Sequence, residues 1–222
     1  MIGCENSYKK IYEDKNILVV YKNNKLSVQK DKKGNLGLKE LLEKEYKEIF
    51  LINRLDTNVC GLVLFGKNKD TAAKLSKIVQ NHEVEKVYYA VVQGDVKEKD
   101  TLVNWIFKNQ RLNISKVVNK NSPSSKEAIL SYEKLENFEY EGEEYSLVKI
   151  NLVTGRHHQI RVQFAHIGHF IYGDRKYSNM YKVNNEGIAL CAKSLKFVNP
   201  HTKKEMLFEC DLPKSSIWKC IK

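Results

Sequence analysis

A chain of 222 residues, 42% hydrophobic and 29% charged, is long enough to bury a sizeable core and too apolar for a disordered chain. Its net charge of +11, from 38 Lys and Arg against 27 Asp and Glu, favours a polyanionic partner, nucleic acid before membrane. No apolar run approaches a membrane span and Met1–Lys10 hold no apolar signal core, so the expectation is a protein without a membrane anchor. The five cysteines (Cys4, Cys60, Cys191, Cys210, Cys220) are odd in number, scattered, and form no Cys-x-x-Cys pair. They read as reduced thiols of a cytoplasmic protein rather than a disulfide frame or a zinc site.

In chain order, residues 1–10 are expected to be loosely ordered. Ile17–Tyr21 and Leu26–Gln29 read as strands joined by the polar turn 22–25. Leu38–Tyr46 has helical apolar spacing with charges on the opposite face. Leu51–Phe65 is an apolar lead-in, a polar turn and a buried-strand run. The turn carries Arg54 and Asp56 between core-like segments, and Gly61 suits a positive φ or a close backbone approach. A carboxylate in such a place needs a partner or a chemical use, because an unpaired buried charge is costly. A structural Arg-Asp turn is the plain alternative.

Asp70–Asn81 reads as an amphipathic helix, capped by Asn68 or Asp70. Val84–Gly94 is β-rich and closed by glycine. Residues 101–127 are polar and basic, with Lys108, Arg111, Lys116, Lys120 and Lys126, and read as hairpins or an exposed flap. Ala128–Leu135 and Tyr145–Val153 are strands flanking an acidic turn that should face away from any RNA. His157–Ile167 is a helix candidate with Ile160, Phe164 and Ile167 as its apolar stripe. Ile188–Cys191, Leu195–Val198 and Glu205–Cys210 close the chain as strands. Strands outnumber helices and several joins are too short for parallel crossovers. The expected fold is therefore α+β, a mixed, largely antiparallel central sheet with flanking helices, in a single domain spanning 1–222.

Thr154-Gly155-Arg156-His157-His158-Gln159-Ile160-Arg161 packs two arginines, two histidines and a glutamine beside a tight turn. Alone it reads as a solvated helix start. The histidines at 157, 158, 166 and 169 lack carboxylates or thiols at supporting spacing, so no metal site is expected.

Asn53-Arg54-Leu55-Asp56 followed by Gly61–Lys67 resembles the signature of the RluA-type RNA pseudouridine synthases. Lys86–Ala90 through Gly94 is similar to that family's second motif. Thr154–Arg161 with Ile167-Gly168-His169, Gly173-Asp174 and Tyr177 resembles its third, and Leu190, Leu195–Phe197 and Asn199-Pro200 fall where the family has its closing strands. The match runs in order from about Ile17 to Cys210. It departs at Asn53, where the family usually has histidine, at Val59-Cys60 for a Thr-Ser pair, and at Lys22-Asn23 for Lys-Pro.

The resemblance implies a pseudouridine synthase catalytic fold that isomerises specific uridines in rRNA or tRNA, using base flipping and neither cofactor nor metal. It implies Asp56 as the catalytic carboxylate, attacking the anomeric carbon or removing the neighbouring ribose proton. Arg161 is implied as the cation balancing that acid, a role suited to a permanently charged fork. Tyr88 is implied as the ring stacked on the base, with a packed core tyrosine as its alternative. Arg54 would fill the vacated stack or hold a phosphate, or else steady the turn from the surface. Arg156, His158, Gln159, Lys108 and Arg111 complete the expected RNA contacts. The expected partner is RNA alone, with no membrane, no obligatory protein partner and a monomeric state. The family's front RNA-binding module is expected to be absent. A non-catalytic RNA-binding or RNA-remodelling protein retaining the fold is the other reading.

Overall fold

The computed structural model describes residues 7–31, 33–178 and 187–221. The chain folds as two compact units, one of 1–86 with 191–211 and one of 87–190 with 212–222.

The first unit is built on two strands buried on both faces. β1 (Tyr8–Glu13) pairs antiparallel with β2 (Ile17–Lys22), with a bulge near Ile11. Tyr8, Lys9 and Lys10, expected to be loose, therefore lie in a strand; residues 1–6 are outside the described residues. Hydropathy misses β1 because it is a lysine- and tyrosine-rich strand, anchored by Tyr8 and Lys10 on Glu45 at 2.6 Å each. Leu26–Gln29 is no strand. α1 is one short helix, Leu38–Leu42, ending before the expected Tyr46.

β3 (Phe50–Leu51) pairs with β4 (Cys60–Gly66), all seven residues of which are buried. β4 lies antiparallel to β2, Ile17 opposite Gly66 and Lys22 opposite Gly61. A near-continuous Val/Ile/Leu/Phe run is what a strand covered on both faces requires. α2 (Lys69–Gln80) starts on Asn68, whose side chain accepts from the Thr71 amide at 2.9 Å, and Asp70 favours the positive end of the helix dipole.

The second unit is an antiparallel sheet. From β5 (Glu85–Gln93), β6 (Lys99–Asn109), β7 (Ile114–Val118), β8 (Lys126–Tyr140) and β9 (Glu143–Leu152) comes the order β5-β9-β8-β6-β7. The expected flap over 101–127 is thus largely sheet. Along β8, Ala128, Leu130 and Tyr132 are buried while Ile129 and Ser131 are not, the period of a half-covered strand. The covering element is α3 (Gln159–His166): Val162 packs with Ile106 and Ala128, and the Phe164 and Tyr132 ring centroids are 5.1 Å apart.

α3 begins two residues later than its apolar spacing predicts, because His158 takes a left-handed backbone (φ 53°). A short 3-10 helix, Ser216–Cys220, buries Ile217 and Trp218. In the first unit, β10 (Leu190–Val198) runs as one strand where two are expected. It lies parallel to β4 and antiparallel to β11 (Glu205–Glu209). The architecture is α+β with mixed, mostly antiparallel pairing.

Gly61 meets both demands read into it. Its φ is +118°, and a Cβ there would collide with the Ala192 backbone of the parallel neighbour. Only glycine lets β4 and β10 approach where the 53–59 turn ends.

Candidate active site

The first unit carries Arg54 and Asp56 on a turn fastened at three points. Asn53 imitates a strand residue: its Oδ1 accepts from the Leu64 amide at 2.7 Å and its Nδ2 donates to the Leu62 carbonyl at 3.3 Å. The Ile52 amide also donates to the Leu64 carbonyl, and the Val59 amide to the Asp56 carbonyl, each at 3.0 Å. Leu55 is buried beneath, Asp56 is half-buried, and Arg54, Thr57 and Asn58 are exposed.

The third fastening is Lys22. Its side chain is fully buried, and its ammonium donates to the carbonyls of Asn23 (3.0 Å), Leu26 (2.8 Å) and Thr57 (3.2 Å). Burial pulls its pKa down to about 8, while the charges of Cys60 and Asp56 pull the other way. Since such coupling is reciprocal, Lys22 also favours the ionised form of Asp56. Among the described residues Cys60, Cys191 and Cys210 are buried and not in a disulfide, with Cys191 Sγ 4.0 Å from Cys210 Sγ. Cys4 is outside the described residues.

The second unit carries Tyr88 and the Thr154–Arg161 segment. Tyr88 lies on β5 opposite Ile150 and is almost fully buried. The 154–159 turn is closed by Gln159, whose Oε1 accepts from Thr154 Oγ1 (2.8 Å) and the Arg156 amide (2.9 Å). Its Nε2 donates to the Ile129 carbonyl at 3.1 Å. Gln159 is therefore a buried turn-builder, 3% exposed. Arg156 is half-buried and its Nε donates to the Glu127 carbonyl at 2.7 Å.

Arg161, in α3, is buried at 5% exposure and grips Asp174 in a fork: Nε to Oδ2 at 2.7 Å and Nη2 to Oδ1 at 2.8 Å. The Tyr177 ring lies under the guanidinium, 5.2 Å from Cζ. Tyr177 Oη accepts from the Ser115 amide and lies 2.8 Å from His158 Nδ1. His158 is itself buried, and its ring stacks on His157 with centroids 3.7 Å apart. His157 in turn meets Ser115 Oγ at 2.9 Å through Nδ1 and Asn113 Oδ1 at 3.1 Å through Nε2. One polar network thus ties β7 to the start of α3. Of the remaining expected RNA contacts, Lys108 is half-buried at the end of β6 and Arg111 is exposed in the turn that follows. Among the described residues no three His, Cys, Asp or Glu side chains converge as metal ligands.

The model of the RNA pseudouridylate synthase family matches residues 16–166. The chain belongs to that family. A Mycoplasma pneumoniae protein named as an uncharacterized RNA pseudouridine synthase is 32% identical over 210 residues, 92% of this chain and 67% of the relative. The dual-specificity RNA pseudouridine synthase RluA of Vibrio parahaemolyticus is 32% identical over 215 residues, 90% of this chain and 82% of its own. The tRNA pseudouridine synthase C of Haemophilus ducreyi is 29% identical, covering 88% and 87%. In fold the chain is similar to human RNA pseudouridylate synthase domain containing 1, with a TM-score of 0.81 at 22% identity, over 95% of this chain and 86% of that one.

As an RluA-type RNA pseudouridine synthase, the chain is an isomerase acting on RNA. Lys22 in the first unit, and Asp174 and Ser115 in the second, are polar residues whose bonding partners sequence reasoning does not assign. Asp174 is signalled by Arg161 sitting among Ile160, Val162 and Phe164, where a buried guanidinium needs a carboxylate. Lys22 ends an apolar strand and has a similar signal. Ser115 has none, since its partners are 42 and 62 residues away.

Proposed function

We propose that this pseudouridine synthase isomerises specific uridines of ribosomal or transfer RNA with Asp56 as the reacting carboxylate. The uracil N1–C1′ bond breaks, the base turns, and a C5–C1′ bond forms. The C5 proton passes to solvent and N1 takes one up, so the atoms balance without redox equivalents or a cofactor. The target nucleotide must leave its stack first.

The observation that carries this reading is the turn anchored by Lys22. Asp56 stands half-exposed on a backbone pinned by Asn53, Lys22 and the Val59 amide, with a cation near enough to favour its charge. A carboxylate that must attack or take a proton needs both a fixed backbone and an ionised state. The roles of Tyr88 as the stacking ring and Arg161 as the balancing cation rest on the family resemblance. Arg54, Lys108, Arg111 and Arg156 are the proposed phosphate contacts, and the enzyme works as a cytoplasmic monomer.

The test is tritium release from RNA labelled at uridine C5. Asp56→Asn is expected to abolish release while circular dichroism and RNA affinity stay at wild-type values. Release undiminished in the variant refutes the role of Asp56. Mapping pseudouridines in RNA from cells with and without the enzyme identifies the site.

A further inference from the structure

Strands β6 and β7 present two dissimilar faces. Ile106 and Val117 join Ala128 and Val162 on the side that α3 covers, and Lys108 follows Ile106 by the two-residue period. Trp105 and Phe107 point the other way, as do Val103 and its β8 neighbour Ile129. Val103 is 54% exposed, and Trp105, Phe107 and Ile129 are each partly open. On this outer face two exposed lysines stand over the rings, Lys116 Nζ 6.0 Å from the Phe107 centroid and Lys120 Nζ 5.6 Å from the Trp105 centroid.

The combination selects its occupant. Two rings two residues apart along one strand, roughly 7 Å, on an aliphatic floor suit a row of flat apolar surfaces. The ammonium beside each ring suits a negative charge repeated at the same interval. A chain of unpaired nucleotides carries both, whereas an apolar protein patch would leave the lysines unmatched. The lysine stems are exposed, so each head can swing from ring to phosphate without leaving water.

We propose that the outer face of β6–β8 docks a single-stranded stretch of the RNA substrate, with bases stacked on Trp105 and Phe107 and phosphates on Lys116 and Lys120. This rests on RNA being the substrate. It goes further in placing a base-stacking platform on the side of the sheet away from α3 and Arg161.

The chain has two tryptophans, and Trp218 is buried at 6% exposure, which makes Trp105 the reporter. Emission is followed while a short unstructured oligouridylate is added to wild type and to Trp105→Leu, Trp218 serving as the internal check on folding. Wild type is expected to show saturable quenching that Trp105→Leu lacks, with affinity reduced about tenfold in the variant. Each of Lys116→Gln and Lys120→Gln is expected to flatten the slope of log affinity against log salt by about 0.7.

Equal quenching in both proteins, or unchanged affinity in Trp105→Leu, overturns the platform. So does binding of an apolar peptide at this face in preference to RNA. Failure here is separable from failure of Asp56, because tritium release from full-length RNA reads the catalytic residue whether or not the oligomer binds.

Discussion

Asp174 holds Arg161 by two parallel hydrogen bonds of 2.7 and 2.8 Å, with both side chains at 5% exposure or less. The pair fixes the plane of the guanidinium as well as its position, which an ammonium at the same place would not do. Removing the acid leaves a buried cation uncompensated. Asp174→Ala is expected to cost about 3–5 kcal/mol in urea unfolding. Arg161→Met with Asp174→Leu is expected to be more stable than either single change, yet inactive in tritium release. Equal stability of Asp174→Ala and wild type would show that the fork contributes nothing.

Tyr177 is a junction: its hydroxyl serves Ser115 and His158 while its ring serves Arg161. Tyr177→Phe keeps the ring and strips the hydroxyl, so the Ser115 amide loses its acceptor at a cost of about 1–3 kcal/mol. Hydrogen exchange at Ser115 should accelerate accordingly. Tyr177→Leu, which also loses the ring, should be more damaging to activity than Tyr177→Phe.

Lys22 gives the first unit a particular response to alkali. Its folded pKa of about 8 lies below the ordinary 10.5, so between those values the unfolded chain binds more protons than the folded one. Stability from this residue therefore rises as pH climbs through that window and sits at its low plateau below about 8. The full swing is on the order of 3 kcal/mol. Lys22→Met is expected to remove the rise, seen as a flat difference between unfolding midpoints at neutral and alkaline pH. It should also lower tritium release, because Thr57 loses its anchor beside Asp56.

Gly61→Ala tests the close approach of β4 and β10. The new methyl meets the Ala192 backbone and the residue sits at φ +118°, so a loss of about 2–5 kcal/mol is expected. A variant with wild-type thermal stability would contradict the packing described.

Much of this is legible in the sequence. β4 and β2 announce themselves as unbroken apolar runs, α2 by its period and Asn68, and the close approach at Gly61 by a glycine inside a buried strand. Local chemistry misleads where tertiary bonds decide. Leu26–Gln29 has strand composition, but the Leu26 carbonyl is held by the Lys22 ammonium instead of a neighbouring strand. Gln159 looks like a surface amide because nothing nearby in sequence shows that Ile129 will lie against it. The His157–His158 pair looks like a helix start, yet the left-handed turn at His158 lays one imidazole flat on the other. The remaining unseen partners, Asp174 for Arg161 and Ser115 for His157, are separated by 13 and 42 positions.

Asn53 has a consequence for how such enzymes diverge. Its amide group supplies one acceptor and one donor to the backbone of β4, as a further peptide unit of a neighbouring strand would. The turn carrying Arg54 and Asp56 therefore leaves the sheet one ladder rung later than its backbone alone would allow, and inherits the stiffness of the strand behind it. A side chain bonded only to main-chain atoms is indifferent to the identity of its partners. A different polar residue at position 53 could keep the turn in place so long as it offers the same acceptor and donor to Leu64 and Leu62.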